Sequence, residues 1–383
     1  MTATPPRAIL FTQQMLGPHA RKTGMIFWAE ALARRGYDSF AITTQLSWLS
    51  RAARNPRLLS ADPEAINRWQ DYGERLHGYV WVPPIHPASR GPAALYRLYP
   101  WLLPNAIARL VRDAALVVIE SCAAVLLYDR LRALASPDTR FIYCASDRLG
   151  TVNMHPMLPE ALARTAPGYD LVRVPAQGMA GDFPAGTRVM VAPHGIDRKA
   201  FPPDTPDPFD GPGPHAVAAG DMLFDRDSFA VMLATRPDIT FHTFGRMDLG
   251  ELDGTPNLRA HGEVPFASLV PYVQHADLGI APYLDRPGAH YLAQSSLKLI
   301  QYRHCRLPVV APRFATAAHP NVIGYDPGAP VSIGTALDGA LAMPRSAIAT
   351  GDILDWDQVI ARVLVAAGVE TREDRYSAAT MGA

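Results

Sequence analysis

The side chains able to do chemistry in this 383-residue chain gather in a few short stretches. In residues 291–301, YLAQSSLKLIQ, Ser295 and Ser296 stand just before the apolar positions Leu297, Leu299 and Ile300, as helix N-caps do. A helix start presents free N–H groups and the positive end of its dipole, so it favours a phosphate. Lys298, one turn in, would add a full charge, and lysine serves phosphate as a point charge. Of 36 Lys+Arg only three are lysines, Lys22, Lys199 and Lys298, which singles the position out. The competing reading is a solvated helix lysine with two ordinary capping serines.

A second candidate is Asp147. It follows the apolar run 140–145, RFIYCA, and so sits at the carboxyl end of an expected strand. A carboxylate there either caps a turn or helix, or takes a proton from a sugar hydroxyl, the latter worth roughly 10²–10⁴ in rate. Glu120 ends the run 114–120 in the same way and reads as a cap or hydrogen-bond acceptor. Gly220, Gly245 and Gly262 each close an expected strand, where glycine lets backbone approach a ligand. Three such ends beside the Ser-Ser-Leu-Lys start point to a nucleotide cleft, although any one of them is also an ordinary turn.

The elements that must position these groups alternate strand and helix. Strands are predicted over 8–11, 38–44, 114–120, 140–145, 170–174 and 188–192, with a helix over 24–35. A linker rich in Pro, Asp and Gly runs through 201–214. The pattern then restarts with strands over 215–219, 239–244, 258–261, 278–281 and 308–310. Helices are expected over 229–234, 267–275, 329–341 and 355–367. This order predicts two Rossmann-like halves: a first domain over 1–203, a second over 204–354, and a closing helix with a loose polar tail over 355–383. The first loop lacks GxGxxG, so the dinucleotide fingerprint is absent there.

Hydrophobic content of 48% with 19% charge suits a globular chain with real cores. Net charge is zero, but residues 1–203 carry 23 Lys+Arg against 15 Asp+Glu and residues 204–383 carry 13 against 21. A basic first half suits an anionic partner such as a lipid phosphate surface; two oppositely charged halves could equally attract each other. Neutral overall charge disfavours a nucleic-acid partner. Residues 45–59 and 92–112 mix Trp, Tyr and Leu with arginine, as does a helix lying in a membrane interface, or one packed on a sheet with its arginines in water. No signal peptide and no spanning helix are expected. Cys122, Cys144 and Cys305 show neither metal spacing nor a disulfide framework, which fits a reducing compartment.

Several stretches resemble a known family. HGIDRKAF is similar to the segment that ends the first domain of many GT-B glycosyltransferases. ESCAAVLLYDRL, YCASDRLGTVN, PHGID, HAVAAGDMLFD, HGEV, GIAPY and YLAQSSLKLIQY, in that order, resemble the GumK-like bacterial glucuronosyltransferases of exopolysaccharide assembly. The resemblance implies an α/β, GT-B fold with two Rossmann-like domains facing across a cleft. It implies an inverting, metal-independent enzyme without a cofactor, acting as a peripheral protein at the cytoplasmic face of the inner membrane. That enzyme would move glucuronate from UDP-glucuronate to a polyprenyl-diphosphate-linked oligosaccharide. By the same resemblance Asp147 is the catalytic aspartate and Lys298 the UDP-binding lysine, with Ser295 or Ser296 and Gln301 beside it. Glu263 and Val264 fall on the base-contacting loop, Tyr283 on the tyrosine after G-I-A-P, and Met222 on the loop methionine. Arg148 and Val264 depart from the family pattern, which has glycine and methionine there.

The expected mechanism is direct displacement. Lys298 and the helix dipole would stabilise departing UDP while Asp147 deprotonates the acceptor. Many retaining GT-B enzymes carry a Glu-x7-Glu pair near this site; none occurs between Asp277 and Gln301, in agreement with inversion. Arg21, Lys22, Arg148 and Arg246 are unranked candidates to read a donor carboxylate. The rival readings are a UDP-sugar epimerase on the same fold and a non-catalytic nucleotide-sugar-binding protein.

Overall fold

The computed structural model describes residues 4–17, 24–52, 54–59, 61–87, 91–150, 154–286, 290–316 and 319–369. Arg21, Lys22 and the tail 370–383 lie outside the described residues. The chain forms two compact units, Met1–Pro193 with Trp356–Ala383, and His194–Asp355.

The first unit is built on strands β1 (Arg7–Thr12), β2 (Asp38–Thr43), β3 (Trp69–Gly73), β4 (Leu76–Val80), β5 (Ala114–Glu120), β6 (Arg140–Cys144), β7 (Leu171–Val174) and β8 (Val189–Val191). They form one sheet in the order β3-β4-β2-β1-β5-β6-β7-β8. Every pairing is parallel except β3 with β4. The apolar runs of β1 and β5 are buried almost throughout, as strands covered on both faces require.

The second unit carries β9 (His215–Ala219), β10 (Thr240–Phe244), β11 (Leu258–Ala260), β12 (Leu278–Ile280), β13 (Val309–Pro312) and β14 (Val322–Tyr325). Its sheet is wholly parallel, in the order β11-β10-β9-β12-β13-β14. Side-chain alternation divides its core in two. Ala216 and Ala218 face Phe229, Ile333 and Leu337, while Val217 faces Val273, Leu299 and Tyr302.

Strand order reverses between β1 and β5 in the first unit and between β9 and β12 in the second. In open parallel sheets the carboxyl ends of such strands form the ligand-binding crevice. Glu120 ends β5, and the loops after β9 and β12 carry Met222 and Tyr283.

Two features differ from the sequence expectation, and the packing of the closing helix was not assigned there. The hairpin of β3 and β4 was unforeseen, because β3 mixes half-buried and exposed residues without an apolar run. Residues 45–59 and 92–112 do not make continuous helices. They form short pieces, Trp48–Ala52, Pro56–Leu59, Ala93–Tyr96, Tyr99–Leu102 and Asn105–Arg112. Pro56, Pro92 and Pro104 stand at or just before the starts of these pieces and Pro100 is the second residue of its piece, where the missing N–H and fixed φ interrupt a longer helix. The closing helix, Trp356–Ala366, packs in the first unit. Trp356 stacks on Phe27 at 5.5 Å, and Arg34 and Arg35 donate to Asp357 at 3.0 and 3.1 Å.

Candidate functional site

In the second unit the site grows from the helix Leu297–His304. Ser296 is its N-cap in extended conformation, with Oγ accepting from Leu299 N at 3.4 Å. Ser296 Oγ also lies 2.6 Å from Tyr283 Oη. Ser295 is not the cap: it is buried at the end of the preceding turn, and its hydroxyl donates to Tyr291 O at 3.1 Å. Pro282 turns the chain out of β12, and the next residues zip onto the loop after β9. Asp225 N donates to Pro282 O at 2.7 Å, and Leu284 N to Leu223 O at 2.8 Å. Tyr283 pairs with Phe224 in an antiparallel bridge. Leu223 holds a left-handed φ of 52°, a costly conformation for a bulky side chain and a common mark of a functional loop.

Lys298 Nζ rests 4.6 Å from the centroid of the Tyr283 ring. The residue as a whole is half-buried, yet its ammonium behaves as a dry one. Loss of water pushes its pKa down to about 7, and the Asp221 carboxylate pulls the other way. Among the described residues no carboxylate lies within ion-pair distance of it. The ammonium is thus held by the ring face and the helix start, in a position an anion could share. Gln301 stands one turn further along the helix and is half-buried; Met222, beside Leu223, is exposed.

The strand-end glycines join these loops to a third. Gly220 N donates to Phe244 O at 2.7 Å, and Gly245 N to Gly262 O at 2.8 Å. Gly220, Gly245 and Gly262 have φ of 83°, 133° and 67°, which only glycine adopts without strain. Glu263 follows and accepts from Arg246 Nε at 2.5 Å; Val264 packs on the core. Arg246, a candidate reader of a donor carboxylate, is therefore already paired.

In the first unit Ala145-Ser146-Asp147 leaves β6 as an irregular loop. The next described helix is Met157–Thr165, so Asp147 caps no helix. Each of the three residues is tied by a buried polar side chain. Arg173 Nη1 donates to Ala145 O at 2.9 Å, Ser146 Oγ donates to Glu120 Oε1 at 2.6 Å, and Ser121 Oγ donates to Asp147 O at 2.8 Å. Arg148 turns to Asp182, donating through Nε and Nη2 at 2.7 and 3.0 Å. Asp147 thus lies in the first unit, and Lys298, Tyr283, Ser296 and the Met222 and Glu263 loops lie in the second. Sequence reading missed Arg173 and Asp221; Asp221 directly follows Gly220 and was within reach of the same argument.

Trp48, Leu49, Leu59, Leu95, Leu98 and Trp101 are exposed, the two tryptophans by 62% and 71%, and Arg97, Arg109 and Arg112 are exposed among the same short helices. Among the described residues no helix is long and apolar enough to cross a membrane, and no group of three or more His, Cys, Asp or Glu could hold a metal ion.

Residues 10–175 match the family described as glucuronosyltransferase GumK, N-terminal domain. The chain is 31% identical over 352 residues to UDP-glucuronate:glycolipid 2-beta-glucuronosyltransferase of Xanthomonas campestris pv. campestris, covering 90% of this chain and 86% of that protein. Its fold is similar to sucrose-phosphate synthase from Thermosynechococcus elongatus, with a TM-score of 0.65 at 12% identity over 94% of this chain and 97% of that one. It is also similar to an alpha,alpha-trehalose-phosphate synthase (UDP-forming) from Burkholderia xenovorans, at 0.58 and 14% over 94% and 100%. The fold is that of GT-B glycosyltransferases.

Proposed function

Because the chain belongs to the GumK family of glucuronosyltransferases, we propose that it moves glucuronate from UDP-glucuronate to a lipid-linked oligosaccharide. The chain is a UDP-sugar-dependent glycosyltransferase. The observation that carries the residue assignment is the Lys298 ammonium, placed at a helix start over Tyr283 with no carboxylate within ion-pair distance among the described residues. A diphosphate fits that place: it supplies a counter-charge in direct contact, which the more distant Asp221 does not, and accepts from the free N–H groups of the first turn. On departure UDP gains negative charge, and Lys298 with the helix dipole stabilises it. The loops of Met222 and of Glu263 with Val264 hold the nucleoside, and Gln301 and Ser296 line the phosphate end.

Asp147 acts as general base. It takes the proton of the acceptor hydroxyl as that oxygen attacks the anomeric carbon, and the configuration inverts. The acceptor is a polyprenyl-diphosphate-linked oligosaccharide at the cytoplasmic face of the inner membrane. The exposed Trp48, Leu49, Leu98 and Trp101 with Arg97, Arg109 and Arg112 give the first unit an apolar, cationic surface suited to a peripheral hold on anionic lipid.

The test supplies purified protein with UDP-glucuronate and other UDP-sugars, with and without a lipid-linked acceptor. Product should form only with acceptor, fastest from UDP-glucuronate, and carry the β configuration by NMR. Conversion of the UDP-sugar without acceptor would instead indicate an epimerase.

A further inference from the structure

Glu120 has no part in the displacement just described, yet it is only 2% exposed at the reversal of strand order in the first unit. A buried carboxylate persists only when its oxygens are satisfied. Here Thr12 Oγ1 and Gln13 N donate to Oε2 at 2.5 and 2.9 Å, and Ser146 Oγ donates to Oε1 at 2.6 Å. One oxygen therefore binds the end of β1, and the other binds the residue before Asp147. Ser121, next in the chain, completes the hold by accepting from Ser146 N at 3.2 Å and donating to Asp147 O at 2.8 Å.

We infer that Glu120 is a positioning residue: through Ser146 it fixes where the Asp147 carboxylate is presented, and as a neighbouring anion it sets the basicity of Asp147. The inference rests on the assignment of Asp147 as base. Burial raises the Glu120 pKa, and the bonds from Ser146, Thr12 and Gln13 lower it; Asp147 adds a like charge that raises it further. The other titratable groups facing Glu120 are Cys122 beside it and Tyr143 and Cys144 on β6. Burial holds Cys122 at about 12, Cys144 at about 11 and Tyr143 higher still, so none of them ionises at working pH. Arg173 on β7 faces Cys144 and the Ala145 carbonyl. Glu120 and Asp147 thus act on each other as like charges.

The experiment measures turnover against pH with UDP-glucuronate and lipid-linked acceptor, together with UDP affinity and thermal melting. The variants are Glu120→Gln, Glu120→Ala, Ser146→Ala and Asp147→Asn. Glu120→Ala and Ser146→Ala should lose about 10²-fold in kcat, as misplaced catalytic groups do, with UDP affinity unchanged. Glu120→Gln removes the charge, keeps its oxygen for Thr12 and Gln13 and reverses the Ser146 bond, the amide donating to Ser146 Oγ, so its acid limb should move to lower pH by about half a unit or more. A Glu120→Gln enzyme with wild-type kcat and an unmoved profile, beside an inactive Asp147→Asn, overturns this inference alone. An active Asp147→Asn overturns the base assignment, and this inference with it.

Discussion

The two units solve the same topological problem with opposite charges. Where strand order reverses in the first unit, a carboxylate is buried and three donors already satisfy it. Where it reverses in the second, an ammonium is held over an aromatic ring with no carboxylate within ion-pair distance among the described residues, and loss of water lowers its pKa to about 7 against the pull of Asp221. A satisfied buried charge orders its surroundings; an unsatisfied one is a site prepared for a ligand. On the function proposed above, the first unit is a rigid mount for Asp147 and the second a receptor for phosphate.

The comparison breaks most sharply at Asp147. Asp147→Asn should lower kcat by about 10²–10⁴-fold and leave UDP affinity as it was, measured by turnover and calorimetry side by side. Weakened UDP binding in this variant would show that the division of labour is wrong. A smaller effect is expected from Tyr283→Phe, which keeps the ring under Lys298 but removes the hydroxyl 2.6 Å from Ser296 Oγ, the cap of the Leu297–His304 helix. UDP affinity should fall about fivefold, the worth of one ordinary hydrogen bond; an unchanged affinity would detach Tyr283 from the site.

The smallest effect concerns the interior of the second unit, where imidazoles rather than ions are buried. His215 Nδ1 lies 3.2 Å from His242 Nε2, and His242 Nδ1 lies 3.0 Å from His261 Nε2. Burial first, and then the neighbouring His261, His215 and Arg259, lower the His242 pKa to about 4. A histidine kept neutral in the folded state takes its proton first in the unfolded state. Stability is therefore full above about pH 6.5 and is lost as pH falls towards 4. Thermal melts from pH 7 to pH 4.5 should show that decline, and His242→Phe should flatten it; an identical slope in the variant would remove His242 as its cause.

Legibility in the sequence followed the range of the interactions. The apolar strands and Ser296 with Lys298 announced themselves locally, through periodicity, a capping residue and the scarcity of lysine in an arginine-rich chain. Glu120 was visible as a strand-end acid, but its role depends on Thr12 and Gln13, over a hundred positions earlier, and on Ser146. Nothing local in residues 355–367 says that Trp356 stacks on Phe27. Proline also outranked composition: the Trp- and Leu-rich segments looked like interface helices, and the prolines broke them into short turns that leave Trp48 and Trp101 exposed.

The most direct test is calorimetric titration of UDP into wild type and Lys298→Met, in buffers of different ionisation enthalpy, between pH 7.5 and 9. In the free protein the Lys298 pKa is about 7, so the amine is mostly neutral in this range, whereas a bound diphosphate favours its charged form. Wild type should take up a proton on binding and lose affinity as pH rises, by up to about tenfold per unit. Lys298→Met should bind at least about tenfold more weakly at pH 7.5 and take up none. Equal affinity and equal proton uptake in the two proteins would mean that UDP does not bind at Lys298.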